Sequence, residues 1–208
     1  SGKRRSGGGC RSTYMGTPDD DVFERFAEDY DRWFDENLAA YRAELTRIRR
    51  LLPHPGTRAI EVGVGSGRFA GPLGIPLGLE PSLPLARIAR RRGIETILGK
   101  GEAIPIRTGT CSSVLLVTVI CFLDDPVPAL LEIHRILAPR GTLVIGFLDR
   151  EGEVARKYRR DTRKHRFLSR ARFYSIDEVR DLLGRAGFSI KEVESRAGFS
   201  VIAAEKNG

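Results

Sequence analysis

The stretch Ala59-Ile-Glu-Val-Gly-Val-Gly-Ser-Gly-Arg-Phe69 constrains this chain more than any other. Ala59 to Val64 are apolar except for Glu61, the composition of a parallel strand covered on both faces. The run then enters three glycines spaced two apart. Gly63, Gly65 and Gly67 let the backbone turn sharply and approach a ligand with no Cβ in the way, and amides at the start of the next helix face that ligand. A strand, a glycine-rich turn and a helix in that order build a nucleotide-cofactor site. The spacing is G-x-G-x-G, because Arg68 stands at the sixth position, where the dinucleotide fingerprint needs glycine.

The rest of the chain arranges itself around that unit. Strands are expected near 58–63, 76–80, 95–98, 113–121 and 142–148, with helices from Gly67 to Leu73, Ser82 to Arg92 and Val127 to Ala138. This alternation implies right-handed crossovers and a parallel sheet with helices on both faces. Upstream, Val22, Phe23, Phe26, Tyr30 and Phe34 lie on one helical stripe, and Leu38, Tyr41, Leu45, Ile48 and Leu52 on a second. They predict two helices between Asp19 and Leu52 that cap one edge of the core, ended by Pro53-His-Pro-Gly56. Ser175-Ile-Asp-Glu178 is a capping box that starts a helix running to Gly187. Two strands follow, Phe188 to Glu194 and Phe199 to Glu205, joined by Ser-Arg-Ala-Gly as a hairpin, which forces an antiparallel pair at the end of the sheet.

The glycine string, with its acid two residues upstream, resembles motif I of the class I S-adenosylmethionine-dependent methyltransferases. The match continues in order. Gly78-Leu-Glu80-Pro-Ser resembles the family's second motif, an acid ending strand two, 17 residues after Gly63. Gly99-Lys-Gly-Glu102-Ala-Ile-Pro105 is similar to the turn after strand three. Val117-Thr-Val-Ile-Cys-Phe-Leu-Asp-Asp125 resembles motif IV, and Ile136-Leu-Ala-Pro-Arg-Gly-Thr-Leu143 the turn into strand five. Within the superfamily the resemblance is to the small type 11 branch, for which Phe26-Ala-Glu-Asp-Tyr-Asp-Arg-Trp33 is a typical opening. It covers about Asp20 to Lys206. It implies a Rossmann-like methyltransferase fold, α/β, with a mainly parallel seven-stranded sheet, helices on both faces and an antiparallel last strand.

The resemblance also implies S-adenosyl-L-methionine as cofactor, and that molecule assigns roles. Backbone groups of Gly63, Val64, Gly65, Gly67, Arg68 and Phe69 suit its methionine head, and Glu61 orders the amine or a water beside it; the alternative is a carboxylate that caps the turn's amides. Glu80 accepts both ribose hydroxyls, or else serves as an N-cap-like acid before the Ser82 helix. Leu79, Pro81 and Ser82 border the adenine, and Gly101, Glu102 and Ala103 meet its edge, with Lys100 where many relatives carry aspartate. Thr118 and Val119 line the floor under the methionine through their backbone. Tyr30 and Trp33 close the pocket from the helical cap, or belong to the core. No catalytic constellation is visible: motif IV lacks the N-P-P-Y string of base and glutamine methylation, and His54, His134 and His165 are scattered. His134 is expected on a helix surface and His165 in a solvated loop.

Composition narrows the partners. No apolar run approaches the roughly 20 residues that span a bilayer, and no signal peptide opens the chain, so a cytoplasmic protein without a membrane partner is expected. Cys10, Cys111 and Cys121 are odd in number and lack paired spacing, which indicates neither a disulfide framework nor a metal site. Residues 1–14 read as a disordered leader foreign to the native chain, 15–55 as the helical cap, and 56–208 as the cofactor-binding domain with a basic lid insertion at 149–174. The leader supplies four of the net charge of +8, leaving about +4 for the folded part, poor grounds for a nucleic-acid partner. Asp149 to Arg172 holds ten Lys or Arg against four acids, with Tyr158 and Phe167 among them. Three readings stay open for it: a lid over a small-molecule methyl acceptor, which is preferred; a surface for RNA phosphates and bases; and a helix with a solvated face. A protein that binds the cofactor without catalysis also stays open. The missing sixth glycine and the lack of a Tyr-x-x-x-Lys pair argue against a reductase. The acceptor atom and the oligomeric state are not legible.

Overall fold

The computed structural model describes residues 18–52, 54–160, 166–169 and 171–208, with side chains from Val22 onward; Cys10, His165 and the expected leader lie outside the described residues. Seven strands form one sheet: β1 (Ala59–Val62), β2 (Leu77–Glu80), β3 (Glu95–Leu98), β4 (Cys111–Val117), β5 (Leu137–Leu148), β6 (Phe188–Arg196) and β7 (Phe199–Lys206). Their order is β3-β2-β1-β4-β5-β7-β6. The first five run parallel, and β7, the last strand of the chain, lies antiparallel between β5 and β6. The helices are α1 (Pro18–Arg25), α2 (Ala27–Glu36), α3 (Leu38–Leu51), α4 (Ala70–Leu73), α5 (Leu83–Arg91), α6 (Pro126–Ile136), α7 (Glu153–Arg160) and α8 (Ile176–Arg185).

Both residue sets of the central strands are apolar, and so helices cover both faces. Ile60, Val62, Val114, Leu116, Ile145 and Phe147 pack with Leu130 and Ile133 of α6 and with Val179 and Leu183 of α8. The alternate residues Ala59, Leu115, Val117 and Val144 pack with Ile48 of α3, Ala70 and Leu73 of α4 and Ala89 of α5. Period-two alternation places Glu61 on this second face, with Ala59.

Several boundaries differ from the expected ones. The N-terminal pattern forms three helices, not two. Neither break has a proline or glycine. At Asn37 the side-chain amide donates to the Trp33 carbonyl at 2.9 Å and competes with the helical ladder. The strand expected over 113–121 ends at Val117, because Thr118 takes φ +55° and a 3-10 turn follows over Ile120–Phe122. The helix expected from Gly67 is the single turn α4, and the one expected to reach Ala138 stops at Ile136, where β5 begins. The hairpin loop is shorter than its signal: Ser195 and Arg196 stay in β6, leaving Ala197 and Gly198, both at positive φ, as a two-residue turn. Residues 149–174 contain α7, and an isolated bridge joins Asp149 to Tyr174.

Candidate active site

The glycine turn is shaped by what lies against it. Gly63 and Val64 donate their amides to the Leu79 carbonyl at 2.8 and 3.0 Å, tying the end of β1 to β2. A Cβ on Gly63 would stand 2.3 Å from Val119, and one on Gly67, at φ +83°, 2.4 Å from Ile94. Gly65 lies under the Tyr30 ring. The turn sits at the carboxyl ends of β1, β2 and β4, where strand order reverses, the position at which open α/β sheets bind ligands.

Two carboxylates sit inside this turn. Glu80 accepts from the Gly65 amide at 2.8 Å on one oxygen and from the Ser82 amide at 3.0 Å on the other. Through the Gly65 amide it braces the turn, and through the Ser82 amide it ties the end of β2 to the start of α5, whose N-cap is Ser82. Glu61 is 1 % exposed, and one of its oxygens has no hydrogen-bond partner among the described residues. Burial drives its carboxyl well above the ordinary value; the Ala70 amide opposes this and the Glu80 charge reinforces it. An unpaired buried oxygen of that kind is costly to a fold and suits a cationic or hydrogen-bonding ligand group. Tyr30 completes the trio. Burial, then Glu80, then Glu61 raise its phenol above the ordinary range, so it stays protonated.

These residues open onto a cavity of about 790 Å³. Its wall includes Tyr30, Glu61, Gly63, Val64, Gly65, Arg68, Phe69, Glu80, Pro81, Gly101, Glu102, Thr118 and Val119, together with Trp33 and Lys100. Gly67, Leu79, Ser82 and Ala103 stand off that wall. Gly67 packs the turn onto α5 and Ile94, Leu79 is in the core, and the Ser82 hydroxyl caps α5 through the Leu85 amide. The same cavity extends past these residues into a second lobe, walled by Asn37, by Ala40, Glu44 and Arg47 of α3, by Leu148 at the end of β5, by Val154, Lys157 and Tyr158 of α7, and by Phe167 and Phe199. Tyr158 and Phe167 belong to the segment expected to cover a methyl acceptor, whereas the residues of α3, β5 and β7 on this wall were not among the expected site residues.

Arg68 does more than the backbone role expected of it. Its guanidinium binds Asp31 at 2.8 Å and Asp35 at 2.7 Å, its carbonyl accepts from the Tyr41 hydroxyl, and Arg92 also binds Asp31 at 2.8 Å. The residue that breaks the dinucleotide fingerprint clamps the helical cap to the glycine turn. Arg68→Ala is expected to destabilise the fold by about 1–3 kcal/mol, lowering the melting temperature by roughly 2–4 °C per kcal/mol. Burial acts to raise the Asp31 carboxyl, but hydrogen bonds from Arg68 and Arg92 outweigh it and hold the group well below its usual range. The stabilisation is therefore present above the ordinary carboxylate value and lost in acid, so the gap between variant and parent closes as pH falls below about 4. Melting curves across pH check this; a gap that widens in acid would contradict it.

None of the described histidines and cysteines lines the cavity. His134 packs edge-on against Phe188 at 5.3 Å rather than standing free on its helix, and His54 is exposed. Burial pushes the Cys121 thiol up to about 12, which leaves it inert. Among the described residues no group of three or more His, Cys, Asp or Glu is placed to hold a metal, and no helix is long and apolar enough to cross a membrane.

Comparison with known proteins agrees with this geometry. A type 11 family model, described as a methyltransferase domain, matches residues 60–145. An uncharacterised protein of Methanocaldococcus jannaschii is 35 % identical over 204 residues, 89 % of this chain and 98 % of that protein. Among solved structures, a Thermotoga maritima S-adenosylmethionine-dependent methyltransferase, described as a possible histamine N-methyltransferase, is 38 % identical with a TM-score of 0.84. The match covers 90 % of this chain and 99 % of that one. Magnesium protoporphyrin IX methyltransferase from Synechocystis, with bound S-adenosylhomocysteine, shares the fold at 17 % identity, TM-score 0.69, over 90 % and 97 % of the two chains.

Proposed function

The chain belongs to the class I S-adenosylmethionine-dependent methyltransferases, in their type 11 branch, and on that premise we propose that it methylates a small molecule held between the glycine turn and α7. The observation that carries this reading is the single cavity that joins Glu61, Gly65 and Glu80 to a lobe walled by Trp33, Leu148, Tyr158, Phe167 and Phe199. A cavity of about 790 Å³ has the size of a small-molecule site, and these side chains give it an apolar wall. S-adenosylmethionine supplies a methyl group already activated on a sulfonium. In this reading Glu61 takes its amine, and Glu80, at the end of β2 on the cavity wall, takes the ribose hydroxyls. Pro81, Gly101 and Glu102 flank the adenine, and the backbone of Thr118 and Val119 underlies the methionine.

The protein's part is alignment and exclusion of water. In-line positioning is worth up to ~7–11 kcal/mol, which needs no catalytic triad. The lid's cations favour this reading over RNA because several are paired within the fold. Arg150 binds Glu151 at 3.1 Å and Glu178 at 2.8 Å, and Arg166 pairs with Asp29 at 3.3 Å while lying 3.8 Å over the Phe26 ring.

Incubation with methyl-labelled cofactor and fractionated cell extract tests the reading, with histamine, the compound named for the Thermotoga relative, tried alongside. Label is expected in the small-molecule fraction. Label confined to RNA would overturn the reading, and cofactor binding with label in no fraction would support a non-catalytic binder.

A further inference from the structure

Glu44 is an acid on the cavity wall for which cofactor binding has no use. It stands half-buried on α3, one turn after Ala40, and shares the second lobe with Leu148, Lys157, Tyr158 and Phe199. It shares the cavity wall with Tyr30, over the glycine turn, and Tyr158, on α7, and its charge adds to the burial that raises both phenols. Burial lifts its own carboxyl to about 7, and Arg47 offsets this only in part. The Arg47 guanidinium is turned away, onto the Arg196 and Phe199 carbonyls and over the Phe199 ring at 5.2 Å. Among the described residues, the other charged or titratable groups on the cavity wall are Asp29, Tyr30 and Glu36 from α2, Lys157 and Tyr158 from α7, Arg166 beside Phe167, and, toward the glycine turn, Glu61, Arg68, Glu80, Lys100, Glu102 and Asp124, while β5 and β7 present Leu148 and Phe199.

A carboxyl in that range suits general-base work near neutral pH. A carboxylate of that strength is far too weak to deprotonate an alcohol before attack, whereas a neutral nitrogen attacks unaided, becomes cationic as it is methylated and, if weakly basic, gives up its proton there. We propose that Glu44 binds the nucleophilic nitrogen of the acceptor and takes its proton, so that the substrates of this enzyme are small amines of low basicity. The inference rests on the small-molecule reading above. In the transfer, the neutral nitrogen's lone pair forms the N–C bond as the S–C bond breaks and leaves its electron pair on sulfur. The nitrogen becomes cationic, and its proton passes to the Glu44 carboxylate.

The test uses the full chain, labelled cofactor and a panel of aliphatic, aryl and heteroaryl amines, each paired with its alcohol or phenol. Label is expected on one or more amines, with kcat/KM rising through about pH 7. Glu44→Gln, close in shape, should lower kcat/KM by about a hundredfold or more and flatten that rise. Calorimetry on protein saturated with S-adenosylhomocysteine, titrated with the best amine in buffers of different ionisation enthalpy, should show proton release that the variant lacks. Should Glu44→Gln fail to fold, Glu44→Asp carries the test, keeping the pH-dependent limb at a lower kcat. Transfer mainly to alcohols or phenols, or equal activity in a folded Glu44→Gln, would overturn the inference alone. No label on any member, beside label on RNA, would overturn it together with the small-molecule reading.

Discussion

Glu80→Ala is expected to weaken S-adenosylhomocysteine binding by about 2–4 kcal/mol, roughly thirty- to nine-hundredfold, and to lower the melting temperature of the empty protein at the same time. The first effect is what the proposed role entails: if Glu80 holds the ribose diol, alanine removes two charge-assisted bonds. The second follows from the structure alone. The Glu80 oxygens hold the Gly65 and Ser82 amides at 2.8 and 3.0 Å, and the residue is 5 % exposed, so alanine leaves two donors short of partners. That should cost about 1–3 kcal/mol, or roughly 2–4 °C for each kcal/mol in a chain of this length. Glu80→Gln is no rescue, because its amide nitrogen would face one of the two backbone donors. Calorimetry and melting curves on the same preparation separate the roles: unchanged affinity with a lower melting temperature would reduce Glu80 to a brace.

The strand, the three glycines and Glu61 were legible because they lie within a few residues of each other, where backbone chemistry is local, and Glu80, fifteen residues beyond Gly65, because it closes the second motif at the end of β2. The sheet followed from them, and the reversed β7 from the hairpin signal before Phe199. What stayed hidden depends on partners far along the chain. Arg68 read as a backbone position in the turn, since Asp31 and Asp35 precede it by more than thirty residues. Glu44, between the buried Tyr41 and Ile48, has the spacing of a solvated helix face. It becomes part of a cavity wall when Leu148, α7 and the turn at Ala197 come over it. Boundaries failed for a related reason. Ile120 and Cys121 are as buried as the strand before them, so hydrophobicity could not mark the point where Thr118 turns the backbone out of β4. The ten cations between Asp149 and Arg172 left three readings open because two of their counter-charges, Asp29 and Glu178, lie outside that segment, in α2 and α8.

Glu61→Gln should produce opposite changes in stability and affinity. The buried carboxyl has one oxygen without a partner among the described residues, and both burial and Glu80 resist its ionisation. In the unfolded chain the same group titrates in the ordinary carboxylate range. The folded state therefore holds a proton that the unfolded state gives up, and stability falls as pH rises from that range toward the raised folded value. Glutamine keeps an oxygen for the Ala70 amide and removes the titration, so the empty variant should be more stable at pH 8 by about 1–2 kcal/mol and should lack that part of the pH slope. Binding should move the other way. If Glu61 takes the cofactor's amine, its carboxylate forms with loss of a proton to buffer, and the variant loses a charge-assisted bond worth about 1.5–3 kcal/mol. Calorimetry in two buffers and melting curves at pH 5 and pH 8 check both halves. A variant that binds as tightly as its parent, with no difference in proton release, would return Glu61 to the role of a cap on the turn. A variant less stable at both pH values would show that its unpaired oxygen is satisfied without the cofactor.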